Sequence, residues 1–199
     1  MIVPVKALHE SKSRLRGVLT PDQRMDLSRE MLLNTLQELA ELTEIERTLV
    51  VSADSTVLAL ARERGAEVIE ERDPPSLNKA LRQATALASD MQAEAVLVLP
   101  ADLPLLLAAD VRDLIGRAHD PPVVVVSPDR KRSGTNALLM APPGAIKYEF
   151  GPDSFERHVR SAEASGARAE IIELPNLGLD LDAPEDLEIY QDRIALIKE

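Results

Sequence analysis

Along the chain, short unbroken apolar runs take turns with stretches of helical spacing. Ile2 to Val5 is a short apolar run and reads as a buried strand. Pro21 opens a long segment in which Leu32, Leu36 and Leu39 recur at helical spacing, with Glu30, Glu38 and Glu41 among the polar positions. Arg47 to Ser52 reads as a second strand. Thr56 to Arg64 reads as a helix stopped at Gly65, and Glu67 to Glu70 as a brief third strand. Leu77, Ala80, Leu81, Ala84 and Leu87 predict a helix over 76–91. Ala95 to Leu99 is the strongest strand, apolar on both faces as a central parallel strand is. Further on come a helix over 111–118, strands over 123–126 and 136–140, a helix over 153–164 ended by Gly166, a strand over 170–174 and a closing amphipathic helix over 184–197.

Strands and helices thus alternate from end to end. That pattern predicts an α/β fold, a mainly parallel central sheet with helices on both faces. The adjacent strands at 123–126 and 136–140 mark one departure from strict alternation. Residues 1–199 read as a single domain: no internal repeat is present, and Ala141-Pro-Pro-Gly144 is too short to divide two domains. A chain of this length hides roughly 70% of its unfolded surface on folding, so it can bury a real core.

Composition narrows the function. Aromatic residues make up 2% of the chain, which argues against a stacking platform for single-stranded nucleic acid. The net charge of −11 repels a polyanion over most of the surface, so nucleic acid is not an expected partner. With no cysteine, disulfides, zinc-thiolate sites and thiol catalysis are excluded. The start of the chain has no signal-peptide pattern, and no apolar stretch approaches the ~20 residues of a membrane span. The expectation is a cytoplasmic protein. A homodimer is compatible with so small a chain.

In open parallel sheets, ligands bind beyond the carboxyl ends of the strands. The polar residues that follow each strand are therefore the candidates. After the first strand, Lys6, Lys12, Arg14 and Arg16 stand against Glu10 alone, with Ser11 and Ser13 among them. Such a segment is either a basic surface loop or a triphosphate site, although no Walker A loop is present. After the central strand, Pro100-Ala-Asp-Leu-Pro104 holds Asp102 between two prolines. Asp102 suits Mg²⁺, which prefers oxygen ligands, or else it caps the following turn. In Gly178-Leu-Asp-Leu-Asp-Ala-Pro-Glu-Asp-Leu187, Asp180 and Asp182 lie on the same side of an extended segment. Two such carboxylates repel unless a cation sits between them. Asp182 also reads as an N-cap ahead of Pro184. Ser133-Gly-Thr-Asn136 and Phe150-Gly-Pro-Asp-Ser154 read as anion sites, the second at a helix start, with simple capping by Asp153 or Ser154 as the alternative. His9, His119 and His158 are scattered. His158, one turn after Ser154, reads as a solvated helix position.

Taken together, the run Val3-Pro-Val-Lys6 with Ser11-Lys-Ser-Arg-Leu15, Leu-Pro-Ala-Asp-Leu-Pro (99–104), Gly-Thr-Asn (134–136), Phe-Gly-x-x-Ser-Phe (150–155) and Leu-Asp-Leu-Asp-x-Pro-Glu-Asp-Leu (179–187) resembles the guanylyltransferases of coenzyme F-420 biosynthesis. These are the 2-phospho-L-lactate and phosphoenolpyruvate guanylyltransferases. The resemblance spans nearly the whole chain. It implies a Rossmann-like nucleotidyltransferase fold, with GTP and a small phosphorylated acid as reactants and Mg²⁺ as cofactor. It implies Asp102, Asp180 and Asp182 as metal ligands, and Thr135, Gly151 and Ser154 as the acceptor site. Pro4, Val5, Lys6, Ser13, Leu77, Asn78 and Pro100 would bind the nucleotide, with Lys12 and Arg14 beside Asp102 in catalysis. Ser76 departs from the pattern, since relatives commonly carry Gly before Leu-Asn. Two rival readings are a nucleotidyltransferase for another acceptor and a catalytically silent nucleotide-binding module. The first loop has no glycine until Gly17, which counts against sugar-phosphate and molybdopterin relatives. The retained aspartates count against the silent module.

Overall fold

A computed structural model of the protein describes residues 1–71 and 76–197. The strands are β1 (Ile2–Pro4), β2 (Leu49–Ser52), β3 (Glu67–Glu70), β4 (Val96–Val98), β5 (Val123–Pro128), β6 (Thr135–Ala141) and β7 (Arg168–Ile171). The helices are α1 (Pro21–Ala40), α2 (Ser55–Glu63), α3 (Leu77–Asp90), α4 (Ala108–Gly116), α5 (Ser154–Ser165) and α6 (Pro184–Ile197). The strands form one sheet in the order β3-β2-β1-β4-β6-β5-β7. β6 runs antiparallel to both of its neighbours, β4 and β5, and every other pairing is parallel. The expected departure from alternation is therefore this reversed strand.

Both faces of the sheet are apolar and both are covered. Val3, Val50, Leu97, Val123, Val125 and Leu139 point to one core with Leu32 and Leu36 of α1, Val57 of α2 and Val111 of α4. Ile2, Leu49, Val51, Val96, Val98, Val124 and Met140 point to the other with Ala80, Leu81 and Ala84 of α3 and Phe155 of α5. Alternate residues of each strand thus enter opposite cores, which is why the strands read as unbroken apolar runs. Helix α4 starts earlier than the expected 111–118, at Ala108, and the last strand is also displaced. The strand covers Arg168–Ile171 rather than 170–174, because its pairing with Val123 to Val126 begins at Arg168.

Local signals fix the longest helix. The Thr20 hydroxyl accepts from the Gln23 amide N–H at 3.2 Å, and the Thr20 N–H donates to Gln23 Oε1 at 2.9 Å. Pro21 occupies the first turn, where its missing N–H costs nothing. Among the described residues, no helix is long and apolar enough to cross a membrane. Leu32 is fully buried at the centre of its core. Leu32→Ala should lower stability by about 2–5 kcal/mol in denaturant titration, since the surrounding packing can only partly close the void.

Candidate active site

The carboxyl ends of β1 and β4, the start of β6 and the segment before α6 surround a cavity of about 520 Å³. Its walls include Pro4, Val5, Lys6, Lys12, Leu77, Pro100, Asp102, Thr135, Gly151, Ser154, Asp180 and Asp182. Segments scattered over the sequence therefore converge as expected at the topological centre of the sheet. Ser13 and Arg14 do not line it. They lie exposed on a short 3-10 turn, Ser13–Gly17. Asn78 does not line it either. Its side-chain amide donates to the Phe150 carbonyl at 3.1 Å and accepts from the Phe150 N–H at 2.9 Å, so it clamps the loop that carries Gly151.

The backbone explains how the carboxylates are aimed. Leu179 and Leu181 are buried, so the alternate residues Asp180 and Asp182 turn to the cavity. The Leu181 N–H donates to the Asp102 carbonyl at 3.0 Å, which ties the segment to the loop after β4. The capping alternatives for these residues do not hold. Asp186 Oδ2 accepts from the N–H groups of Asp182 and Ala183 at 3.1 and 2.7 Å, so Asp186 satisfies the start of α6. At α4, Asp110 Oδ2 accepts from the Leu107 N–H at 3.0 Å. The side chains of Asp102 and Asp182 are thereby left to the cavity.

Lys12 lies in the cavity beside Asp102 and Asp182, buried rather than exposed on a basic surface loop. Its backbone is left-handed, with φ 53°, and its side chain is 4% exposed. Its ammonium donates to Asp102 Oδ2 at 3.2 Å and to Asp182 Oδ1 at 3.0 Å. Burial alone would push the Lys12 pKa down. The charges and hydrogen bonds of Asp102 and Asp182 outweigh burial and push it up. The ammonium is thus the cation between the carboxylates. Asp180 lies outside this bridge. Burial first, then the negative charges of Asp102 and Asp182, push its pKa up to about 6. Asn136 Nδ2 donates to the Leu177 carbonyl at 2.7 Å and reaches Asp180 Oδ1 at 3.4 Å, so it steadies that carboxylate.

The charge balance of the cavity bears on a metal. Among its described lining residues, Glu10, Glu71, Asp102, Asp129, Asp180 and Asp182 face only Lys6 and Lys12. A triphosphate entering such a volume meets net repulsion unless a cation comes with it. Carboxylate oxygens are the donors that Mg²⁺ takes. Among the described residues, no group of three or more His, Asp or Glu side chains is arranged to hold a metal ion, since Lys12 holds two of the three aspartates. The donor set fits a hard divalent ion in chemistry and charge, with Lys12 as the present occupant.

The lining also includes Asp129, Gly134, Thr135, Gly151 and Ser154. Asp129 shapes the loop into β6 by accepting from the Ser133 N–H at 2.8 Å and from the Ser133 hydroxyl at 3.1 Å. A Cβ on Gly134 would come within 3.0 Å of Asp129 Oδ2. Gly151 has φ 133°, a conformation that L side chains rarely adopt. Asp153 precedes α5 in the left-handed region and makes no side-chain cap bond, so the helix start is not closed by it. Ser154 is 2% exposed and lines the cavity. His158 is not solvated as expected. It is fully buried against Thr135 and the Glu149 backbone, because the face of α5 that carries Ser154 and Phe155 packs on the sheet. Its i+4 spacing from Ser154 was the signal for that placement. Phe150, Asn136 and Asp129 also belong to the site and escaped the assignment of roles, since each acts by holding backbone or a neighbour.

The fold is that of nucleotidyltransferases. A nucleotidyl transferase from Methanothermobacter thermautotrophicus superposes with TM-score 0.65 at 15% identity, covering 99% of both chains. CMP:2-keto-3-deoxy-manno-octonic acid synthetase, solved with CTP, superposes with TM-score 0.65 at 14% identity over 98% of this chain and 97% of that one. Residues 1–191 match the family described as "Guanylyl transferase CofC like", and the chain belongs to that guanylyltransferase family. The phosphoenolpyruvate guanylyltransferase of Rubrobacter xylanophilus is 46% identical over 94% of this chain and 90% of its own length. The 2-phospho-L-lactate guanylyltransferase of Methanothermobacter thermautotrophicus is 34% identical over 94% of this chain and 81% of its own.

The crowding of carboxylates has a measurable cost. Asp180→Asn keeps an oxygen for Asn136 and removes one of the mutually repelling charges. In metal-free buffer at pH 7 it should raise stability by about 1–3 kcal/mol, because one unit of pKa displacement is worth about 1.4 kcal/mol. A lower unfolding midpoint in thermal denaturation would contradict the charge balance described.

Proposed function

We propose that the chain transfers the guanylyl group of GTP to the phosphate of a small phosphorylated acid, phosphoenolpyruvate or 2-phospho-L-lactate, releasing pyrophosphate in a step of coenzyme F-420 biosynthesis. The observation that carries this reading is a single cavity lined by Asp102, Asp180, Asp182 and Lys12 together with Thr135, Gly151 and Ser154. The names borne by relatives that this chain matches over 90% and 81% of their own length support the choice of base and acceptor.

A phosphate oxygen of the acceptor attacks the α-phosphorus of GTP, the bond between that phosphorus and the bridging oxygen breaks, and pyrophosphate leaves. A phosphate dianion is already a nucleophile at neutral pH, so no general base is needed. His158 is bonded on both ring nitrogens, which agrees with this. The protein's work is positioning and charge neutralisation. Pro4, Val5, Leu77 and Pro100 offer an apolar side of the cavity to the guanosine, and Lys6 at the rim reaches toward the triphosphate. Thr135, Gly151 and Ser154 hold the acceptor's anionic end. Asp102, Asp180 and Asp182 would hold Mg²⁺, which when bound offsets phosphate repulsion and polarises the α-phosphate. Lys12, held beside Asp102 and Asp182, would supply positive charge to the phosphates. Ser13 and Arg14, exposed beside the entrance, are left with no contact in this arrangement.

The test is pyrophosphate release from GTP and Mg²⁺ with phosphoenolpyruvate, 2-phospho-L-lactate and 3-phosphoglycerate offered in turn. Release with one of the first two, abolished by a chelator, is expected; no release with any acceptor would overturn the reading. Asp102→Ala should lower turnover at least a hundredfold, equivalent to about 2.7 kcal/mol of barrier. Ser154→Ala should raise KM for the acceptor and leave GTP affinity unchanged, and the reverse pattern would show the two sets of lining residues to be wrongly assigned.

A further inference from the structure

We infer that His158 is a positioning residue that fixes the Thr135 hydroxyl as a hydrogen-bond donor aimed at an oxyanion of the acceptor. The inference rests on the reading of the Thr135–Gly151–Ser154 group as the acceptor site. Its first element is a backbone constraint. The Glu149 N–H lies 3.0 Å from His158 Nε2 and can only donate. Nε2 is therefore an acceptor without a proton, and the proton of the neutral ring sits on Nδ1. Nδ1 lies 2.9 Å from Thr135 Oγ1, so the ring donates and the hydroxyl oxygen accepts. The hydroxyl then has its own proton left to give, and Thr135 lines the cavity.

The environment keeps the ring in that state. His158 is fully buried, and the Phe150 ring packs edge-on at 4.9 Å. Burial, with a contribution from the charge of Arg157 on the same helix, pushes its pKa down to about 4. A second ring proton would in any case point Nε2–H at the Glu149 N–H. The other tautomer meets the same clash, so the Thr135 hydroxyl is not drawn into donating its proton to Nδ1. A donor held this way favours a phosphate or carboxylate oxygen and disfavours a ligand that offers N–H or O–H at that point. Asn78 completes the support, since it fastens the Phe150 backbone whose ring covers the imidazole.

The experiment has two independent readouts. In protein labelled with 15N-histidine, long-range proton–nitrogen correlation spectra should show His158 protonated on Nδ1 between pH 6 and 8. A proton on Nε2, or a doubly protonated ring, would overturn the inference whatever the enzyme's substrate. In steady-state kinetics with GTP and phosphoenolpyruvate, and again with 2-phospho-L-lactate, His158→Leu should raise KM for the acceptor roughly tenfold or more, the loss of one charge-assisted hydrogen bond. KM for GTP should change less than twofold. His158→Asn, whose amide can donate from near the Nδ1 position, should recover most of that loss. Thr135→Val should match His158→Leu, and the two together should be no worse than Thr135→Val alone. Losses that multiply would overturn the coupling; the spectra and the His158→Asn and Thr135→Val variants keep the test alive if His158→Leu does not fold. If KM for GTP rises in place of that for the acceptor while the pair stays non-additive, the acceptor assignment fails and the His158–Thr135 coupling stands. If neither acceptor turns over, the proposed function fails and the tautomer decides the inference alone.

Discussion

The repulsion among Asp102, Asp180 and Asp182 is the constraint around which the rest of the molecule is arranged. Like charges brought together in a partly closed cavity cost stability, and a fold tolerates them only if a counter-charge is held in place. Here the counter-charge is Lys12, separated from Asp182 by 170 positions in the chain. Joining them requires that the loop after β1, the loop after β4 and the segment before α6 meet at one point. The parallel pairing of β1 and β4 brings the first two together, and the hydrogen bond from Leu181 to the Asp102 carbonyl brings the third. The left-handed backbone at Lys12 belongs to the same arrangement, since it turns the ammonium inward at a local conformational cost that the ion pairs offset.

Much of this could be read before the structure. Unbroken apolar runs marked the central strands because their residues enter one core or the other, and the helix α1 was announced by Pro21 and its leucine spacing. The carboxylates were visible because the alternation of Leu179, Asp180, Leu181 and Asp182 leaves the acidic residues on one side. What escaped was the destination of polar side chains that spend their hydrogen bonds on other parts of the protein. Asn78 in a helix, Lys12 in a basic loop and His158 on an amphipathic helix each look like surface or ligand groups from local pattern. Their partners, Phe150, Asp102 with Asp182, and Glu149 with Thr135, are set by tertiary contacts at separations of 72, 90 and 170, and 9 and 23 residues. Periodicity carries no information about pairings of that kind.

The two parts of the cavity lining also differ in how they are held. Asp102 and Asp182 are held by charge, through the Lys12 ammonium. Around Thr135 position is governed by hydrogen bonds: Asn78 to the Phe150 backbone, His158 to Thr135, and Asn136 to the Leu177 carbonyl, with Asp129 to Ser133 and Asn136 to Asp180 the contacts that involve a carboxylate. Such bonds are weakly screened by salt, and they rigidify a site when every partner is satisfied. The site thus joins a charge-held part to a hydrogen-bonded one.

The reversed strand β6 bears on this division. Because β6 runs against its neighbours, it brings the beginning of a strand, Gly134, Thr135 and Asn136, to the rim where the parallel strands end. The turn between β5 and β6 is short and belongs to one hairpin. That turn is fastened to the chain that carries the aspartates: the Arg130 N–H donates to the Gly178 carbonyl at 2.8 Å, and the Arg130 guanidinium donates to Asp186 Oδ1 at 2.6 Å. The hydrogen-bonded part and the charge-held part of the cavity are therefore joined behind the site, and a substitution in the hairpin carries to the aspartates.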